Sequence, residues 1–205
     1  MSHYFENDKN LKSEEKIIFA KIGDEKLSFF VDHGVFSKKG LDFGTRSLLE
    51  NINIEAIEGN VLDFGCGYGP IGIYLAKISS ADVDMVDIND RSLHLSQKNV
   101  VRNEVRANVF KSDLYEKINK KYRYIITNPP IRVGKQILYQ ILFEAKEYLE
   151  KDGELWFVIH KDQGAKSVVK DLQKEYLVTL ISKNKGFYVI KAKSCWQILS
   201  DLLKL

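Results

Sequence analysis

Asn128-Pro129-Pro130 is the stretch of this chain best suited to hold a planar amine. Two prolines fix the chain direction and remove backbone donors, so the Asn128 side chain and the Pro129 carbonyl are presented rigidly. Each can accept one N–H of an exocyclic amino group. Such a nitrogen is a poor nucleophile because its lone pair is delocalised into the neighbouring π-system, and a pair of acceptors turns that lone pair toward an electrophile. Asn128 and Pro129 are therefore the candidate catalytic residues. The preceding Ile125-Ile126-Thr127 is β-branched and predicts a strand that stops at this turn. An Asn-Pro turn that only closes a strand is the alternative.

Upstream, Asp63-Phe64-Gly65-Cys66-Gly67-Tyr68-Gly69 follows the apolar Val61-Leu62 and precedes Ile71, Ile73, Leu75, Ala76 and Ile78. That order predicts strand, glycine turn and packed helix, with Pro70 in the helix's first turn where its missing N–H goes unneeded. Gly65 and Gly67 can take dihedrals closed to other residues and leave room for a ligand to approach the backbone. A dinucleotide loop would read G-x-G-x-x-G, with glycine where Pro70 stands. This chain reads D-x-G-x-G-x-G instead. Val83-Asp84-Met85-Val86-Asp87 predicts a second strand, and Asp87 ends it close to the ~20-residue spacing at which such folds place a ribose-binding carboxylate. Asp84 reads as a solvated edge residue. Asp113 ends a third strand after Val109-Phe110-Lys111-Ser112 and taken alone reads equally as a helix cap.

The D-x-G-x-G-x-G spelling resembles the first motif of class I S-adenosylmethionine methyltransferases. That resemblance implies S-adenosyl-L-methionine as cofactor, held by Asp63 (near its ammonium group), Gly65, Cys66, Gly67, Gly69, Asp87, Ile88, Asp113 (at the adenine amino group) and Asn128. Asn128-Pro129-Pro130-Ile131-Arg132, with Gly34-Val35-Phe36-Ser37-Lys38-Lys39-Gly40-Leu41-Asp42-Phe43-Gly44 upstream and Gln163-Gly164-Ala165 downstream, resembles the RsmC-like ribosomal small-subunit RNA guanine-N2 methyltransferase family, the methyltransferase small domain. The likeness runs from about Tyr4 to Lys193. It implies RNA, small-subunit ribosomal RNA or a ribosomal particle, as partner, with Ile131, Arg132, Lys38, Lys39 and Phe36 on the substrate side. Enzymes acting on adenine or glutamine mostly carry an aromatic residue where Ile131 stands. The family usually has an acidic residue in place of Arg123, and its longer members carry a further N-terminal copy of the domain.

The remaining elements must position these motifs. Leu138, Ile141, Leu142, Ala145 and Leu149 predict a helix, Asp152-Gly153 a turn, and Leu155-Trp156-Phe157-Val158-Ile159 a strand. A helix around Val168, Val169 and Leu172 leads to Leu177–Ile181 and, after Asn184-Lys185-Gly186, to Phe187–Ile190, an antiparallel hairpin. Ahead of the core, Ile17–Ala20 and Leu27–Val31 flank Gly23-Asp24 and predict a second hairpin that roofs the site. The expected fold is α/β: one domain over 1–205 with a doubly wound, seven-stranded Rossmann-like sheet, mostly parallel. Within it, 1–59 is the hairpin and substrate-side segment, 60–193 the cofactor core, and 194–205 an amphipathic helical tail capped by Ser194 and packed on its own sheet.

With 205 residues, 44% of them hydrophobic, the chain can bury such a core. No run approaches the ~20 apolar residues of a membrane span and Met1–Glu6 has no signal-peptide character, so a cytoplasmic protein is expected. The two cysteines and four histidines show no metal-ligand spacing, which predicts no metal. A net charge of +3 does not announce an RNA binder, although Lys38, Lys39, Arg46, Arg132, Lys135 and Lys161 fall where a phosphate backbone could enter. The leading reading is an RNA guanine-N2 methyltransferase, a monomer or weak homodimer. An amine methyltransferase acting on protein glutamine or adenine is second, and a noncatalytic RNA-binding or assembly module third.

Overall fold

The structure is a computed structural model that describes residues 14–32, 40–52, 57–130 and 133–194. Strands β1 (Lys16–Ile22) and β2 (Glu25–Val31) form an antiparallel hairpin, followed by helix α1 (Phe43–Asn51). Then come β3 (Asn60–Phe64), α2 (Pro70–Ile78), β4 (Asp82–Asp87), α3 (Asp90–Arg102), β5 (Asn108–Lys111) and β6 (Tyr122–Thr127). Helix α4 (Lys135–Glu144), β7 (Leu149–His160), α5 (Ala165–Leu172), β8 (Tyr176–Asn184) and β9 (Phe187–Ser194) complete the order. The sheet runs β5-β4-β3-β6-β7-β9-β8, parallel through β7 and antiparallel at β9 and β8. The expected seven-stranded α/β sheet and both hairpins are present.

Alternation along the buried strands splits the core in two. Val61, Tyr124, Ile126, Trp156 and Val158 face α1, α2, α3 and the hairpin, while Leu62, Ile125, Leu155, Phe157 and Ile159 face α4 and α5. From β3 the chain winds outward through β4 and β5, then returns to β6 on the other side. This reversal opens a crevice beyond the carboxyl ends of β3 and β6, which is where Asp63-Phe64-Gly65 and Thr127-Asn128-Pro129 end up.

Three local expectations need correction. Leu149 opens β7 rather than closing a helix, because α4 tightens into a 3-10 turn at Ala145–Glu147. Asp152-Gly153 lies inside β7 at a register shift, where a Cβ on Gly153 would come within 2.9 Å of the Tyr122 carbonyl oxygen. Asp84 is buried, accepting from Tyr122 Oη (2.7 Å) and Asn108 Nδ2 (3.2 Å) and pairing with Lys120 Nζ (3.0 Å), so the neighbouring strands supply the partners an exposed edge would leave to water. Ser194 ends β9 opposite Tyr176. The rest of the expected tail, 195–205, lies outside the described residues.

The hairpin does not roof the crevice. It packs on α3, where Asn99 and the capping Asn103 meet the free edge of β2, while Ser96 on the same buried polar stripe turns to the glycine loop. Asn99 Oδ1 accepts from Phe30 N (2.7 Å) and its Nδ2 donates to Phe30 O (3.0 Å). Asn103 repeats the pattern on Ser28, at 3.1 and 2.9 Å. Two side-chain amides thus pair a strand edge as a neighbouring strand would.

Candidate active site

Each sequence-predicted cofactor residue has a definite place. Gly65, Gly67 and Gly69 all have positive φ, yet for different reasons. A Cβ on Gly65 or Gly67 would meet nothing within 4 Å, so these two leave open space for a ligand; on Gly69 it would strike Met85 and Ile73, so Gly69 serves packing. Asp87 ties the loop down: its Oδ2 accepts from Gly67 N and its Oδ1 from Asn89 N, both at 2.9 Å. Ser96 Oγ donates to Gly67 O (2.8 Å) and Asn99 Nδ2 to Tyr68 O (2.8 Å). Asp87, Ile88, Asp113, Gly65 and Pro129 line a cavity of about 260 Å³ whose other walls are mainly apolar, from Phe64, Val86, Leu114, Val133, Ile137 and Ile141. A slot of this kind, mainly apolar with two carboxylates in its lining, suits a flat heterocycle joined to a polyhydroxyl ring.

Asp63 stands elsewhere. It is fully buried behind the loop, lines neither this cavity nor the adjoining cleft, and accepts from Gly72 N through Oδ2 (2.8 Å). Its Oδ1 has no partner among the described residues. Burial, eased by the Gly72 bond and reinforced by the Asp87 charge, holds this carboxyl up at about 7. Burial and the same two carboxylates push the Cys66 thiol well up, so Cys66 is a packing group of the loop rather than a nucleophile.

The adjoining cleft is lined by Asp42, Thr45, Cys66, Tyr68, Asn128 and Pro130. Asp42 caps α1 by accepting from Thr45 N (3.0 Å). Asn128 Nδ2 donates to Asp42 Oδ1 (3.2 Å) and Thr45 Oγ1 (2.9 Å). A carboxylate only accepts, so the amide nitrogen must face Asp42 and the amide oxygen is turned the other way. Asn128 is thereby held as a hydrogen-bond acceptor. The Pro129 carbonyl already accepts from Gln163 Nε2 (3.2 Å), and Gln163 Oε1 accepts from His160 N (2.7 Å), which leaves the carbonyl its second lone pair. The Tyr68 hydroxyl, buried beside this cleft, has no partner among the described residues.

Sequence reading missed Asp42, Thr45, Gln163, Ser96 and Asn99 as site residues. Asp42-x-x-Thr45 ahead of an apolar run is a helix-start signal that would have placed Asp42 as a cap, but nothing in the sequence brings it to Asn128, 86 residues away. Among the basic candidates, Arg46 Nη1 donates to Lys21 O; Lys135 is exposed with its ammonium over the Tyr139 ring, and Lys161 is exposed as well. Phe36, Lys38, Lys39, Ile131 and Arg132 lie outside the described residues. Among those that are described, no cluster of side chains has the make-up of a metal site, and no helix is long and apolar enough to cross a membrane.

A family model for the methyltransferase small domain matches residues 26–191. The chain belongs to this family. It is 38% identical over 196 residues to the uncharacterized protein YbxB of Bacillus subtilis, covering 93% of this chain and 98% of that one. It is 41% identical over 130 residues to ribosomal RNA small subunit methyltransferase C of Vibrio vulnificus, covering 61% of this chain and 38% of that protein. Matches to the same enzyme from Aeromonas and Haemophilus likewise span about 41% and 42% of those proteins' length. Among solved structures, the Thermus thermophilus 16S rRNA N2 G1207 methyltransferase in complex with AdoMet and guanosine superposes with a TM-score of 0.80 at 26% identity, covering 90% of this chain and 52% of that one. The small-domain fold seen here is therefore the fold of that enzyme's matching half.

Proposed function

We propose that this methyltransferase small domain transfers a methyl group from S-adenosyl-L-methionine to the exocyclic 2-amino group of a guanine in RNA, with small-subunit ribosomal RNA as substrate. The observation that carries the reading is the acceptor-only presentation of Asn128 beside the glycine loop, enforced by Asp42 and Thr45. The residues present fit the cofactor. Gly65 and Gly67 leave open space against the backbone that a Cβ would fill, Asp87 and Asp113 line a mainly apolar slot, and the orphaned Tyr68 hydroxyl is a buried polar atom beside the adjoining cleft. When bound, S-adenosylmethionine supplies a methyl group on a sulfonium, a leaving group good enough that no strong base is needed before attack.

The chain's own contribution is orientation. Asn128 Oδ1 and the remaining lone pair of the Pro129 carbonyl each accept an N–H of the target amine, aiming its lone pair into the cleft. Thr45 and Asp42 keep the Asn128 amide from turning over, and Gln163 fixes the Pro129 carbonyl. Alignment of this kind is worth up to ~7–11 kcal/mol in well-oriented reactions. The amine of a paired guanine lies in the minor groove, out of reach of a recessed cleft, so the base must leave its helix. Ile131, Arg132, Phe36, Lys38 and Lys39 are assigned to the substrate side. The working form is a monomer or weak homodimer in the cytoplasm.

Nucleoside mass spectrometry of small-subunit ribosomal RNA incubated with the protein and S-adenosylmethionine tests the reading. N2-methylguanosine is the expected product. N6-methyladenosine, or methylated glutamine in a protein substrate, would replace it with the amine methyltransferase alternative.

A further inference from the structure

Beside the Asn128 turn, on the sheet side away from the cofactor cavity, lies a row of rings that the transfer chemistry does not use. Phe43, next to the Asp42 that holds Asn128, has its centroid 5.5 Å from that of Phe187, and Phe187 lies 4.7 Å from the His160 ring. All three are half-buried, so each keeps an accessible surface. The row is locked in place. A Cβ on Gly44 would come within 3.0 Å of Phe187, and one on Gly186 within 2.7 Å of His160 Nε2, so glycine at both positions lets the rings close up on the backbone. Lys185 holds a left-handed φ of 47° in the β8–β9 turn, a conformation lysine rarely takes, and this sets its ammonium 4.8 Å over the Phe43 ring. Lys161 is exposed at the same end of β7, and among the described residues neither lysine is paired with a carboxylate; Asp162 faces His160 instead.

We infer that Phe43, backed by the rings of Phe187 (tilted 49° to it) and His160 (tilted 60° to Phe187), forms a stacking platform for an unpaired base of single-stranded RNA next to the methylated guanine, with Lys185 and Lys161 meeting its phosphates. This rests on the RNA reading above and extends it to a second nucleotide. The sheet order decides the placement: β3, β4 and β5 carry the cofactor cavity, β6 ends at Asn128, and β7 and β9 carry the rings. Bases stack on aromatic faces whatever their sequence, and a basic surround draws in the backbone. Charge complementarity favours a polyanion over a protein segment. Lys185 need not be lost as a base arrives, since its flexible stem can swing from the ring to the phosphate.

The test is binding of a short unstructured RNA containing one guanine, by fluorescence anisotropy in the presence of S-adenosylhomocysteine, to the wild type, Phe43→Leu, Phe187→Leu and Lys185→Ala. Each leucine variant should weaken RNA binding about tenfold with unchanged affinity for S-adenosylhomocysteine. Lys185→Ala should lower the slope of log affinity against log salt by about one. An abasic position beside the guanine should cost the wild type a similar factor and Phe43→Leu little more. Unchanged RNA affinity in both leucine variants, an abasic penalty of equal size in Phe43→Leu and wild type, or duplex RNA binding as tightly as the single strand would overturn the platform. The abasic series on the wild type decides the matter even if a leucine variant misfolds. No binding or methylation of any RNA by the wild type would instead remove the functional reading on which the platform stands.

Discussion

Asp63 and Thr45 show how single side chains set the behaviour of this site. Asp63 keeps its proton to about 7 in the fold against an ordinary 3.8, so the folded state binds more protons than the unfolded one across that interval. Its stabilising contribution is complete below the lower value and is lost as pH rises through the upper, a swing of roughly 4 kcal/mol at most. Thermal or urea unfolding of the ligand-free protein between pH 4 and 8 should show stability falling relative to Asp63→Asn, and parallel profiles for the two proteins would refute the assignment. Thr45 makes a second, chemical point. Replacing it by Val keeps the shape and deletes the oxygen that accepts from Asn128, so kcat should fall ten- to a hundredfold, since loss of reacting geometry on this scale carries such factors. Thr45→Ser, which keeps the oxygen, should stay within a few fold. Equal rates for Val and Ser would show that Asn128 needs no such holder.

At the scale of elements, α3 connects the hairpin to the cofactor loop through Asn99, which bonds both Phe30 and Tyr68. Asn99→Ala would leave three backbone groups without this partner, the buried Tyr68 carbonyl at about 1–3 kcal/mol and the part-buried N–H and carbonyl of Phe30 at less. Hydrogen exchange should then rise at Ser28 and Phe30 while β3 and β6 stay protected; unaltered exchange in the hairpin would mean that apolar packing alone holds it. What the sequence revealed follows the same division. Period-2 alternation and apolar runs located the strands, Gly23-Asp24 and Lys185-Gly186 located both hairpins, and D-x-G-x-G-x-G and Asn-Pro-Pro located the two site motifs and the family. Partners distant in the chain were not legible. Asp84 looked like an edge residue because Tyr122, Asn108 and Lys120 meet it only once the sheet forms, and Leu149 continued a helical period that the 3-10 turn at Ala145–Glu147 breaks. Asp63 has the expected spelling but not the expected exposure, since the loop folds over it.

Taken whole, the molecule is a scaffold with its site at one end of the sheet and nearly balanced charge, 31 basic against 28 acidic residues. Cofactor binding should therefore act on the entire fold by mass action. S-adenosylmethionine at a hundred times its Kd should add about 2.7 kcal/mol, raising Tm by roughly 5–10 °C for a chain of this size. A calorimetric scan showing no shift at saturating cofactor would contradict the proposed use of the cavity.

The amides that close the edge of β2 also impose a schedule. A ribosome adds ~5–20 residues per second, and Asn99 lies 69 positions beyond Phe30, so the partners of this edge arrive roughly 3–14 s after the strand itself. A local hairpin forms within microseconds. Throughout that wait the nascent chain holds an open row of backbone donors and acceptors next to Ile17 and Phe19, which remain exposed even in the finished fold. The hairpin therefore presents a template for wrong pairing during synthesis, and variants that slow translation between β2 and α3 should aggregate more.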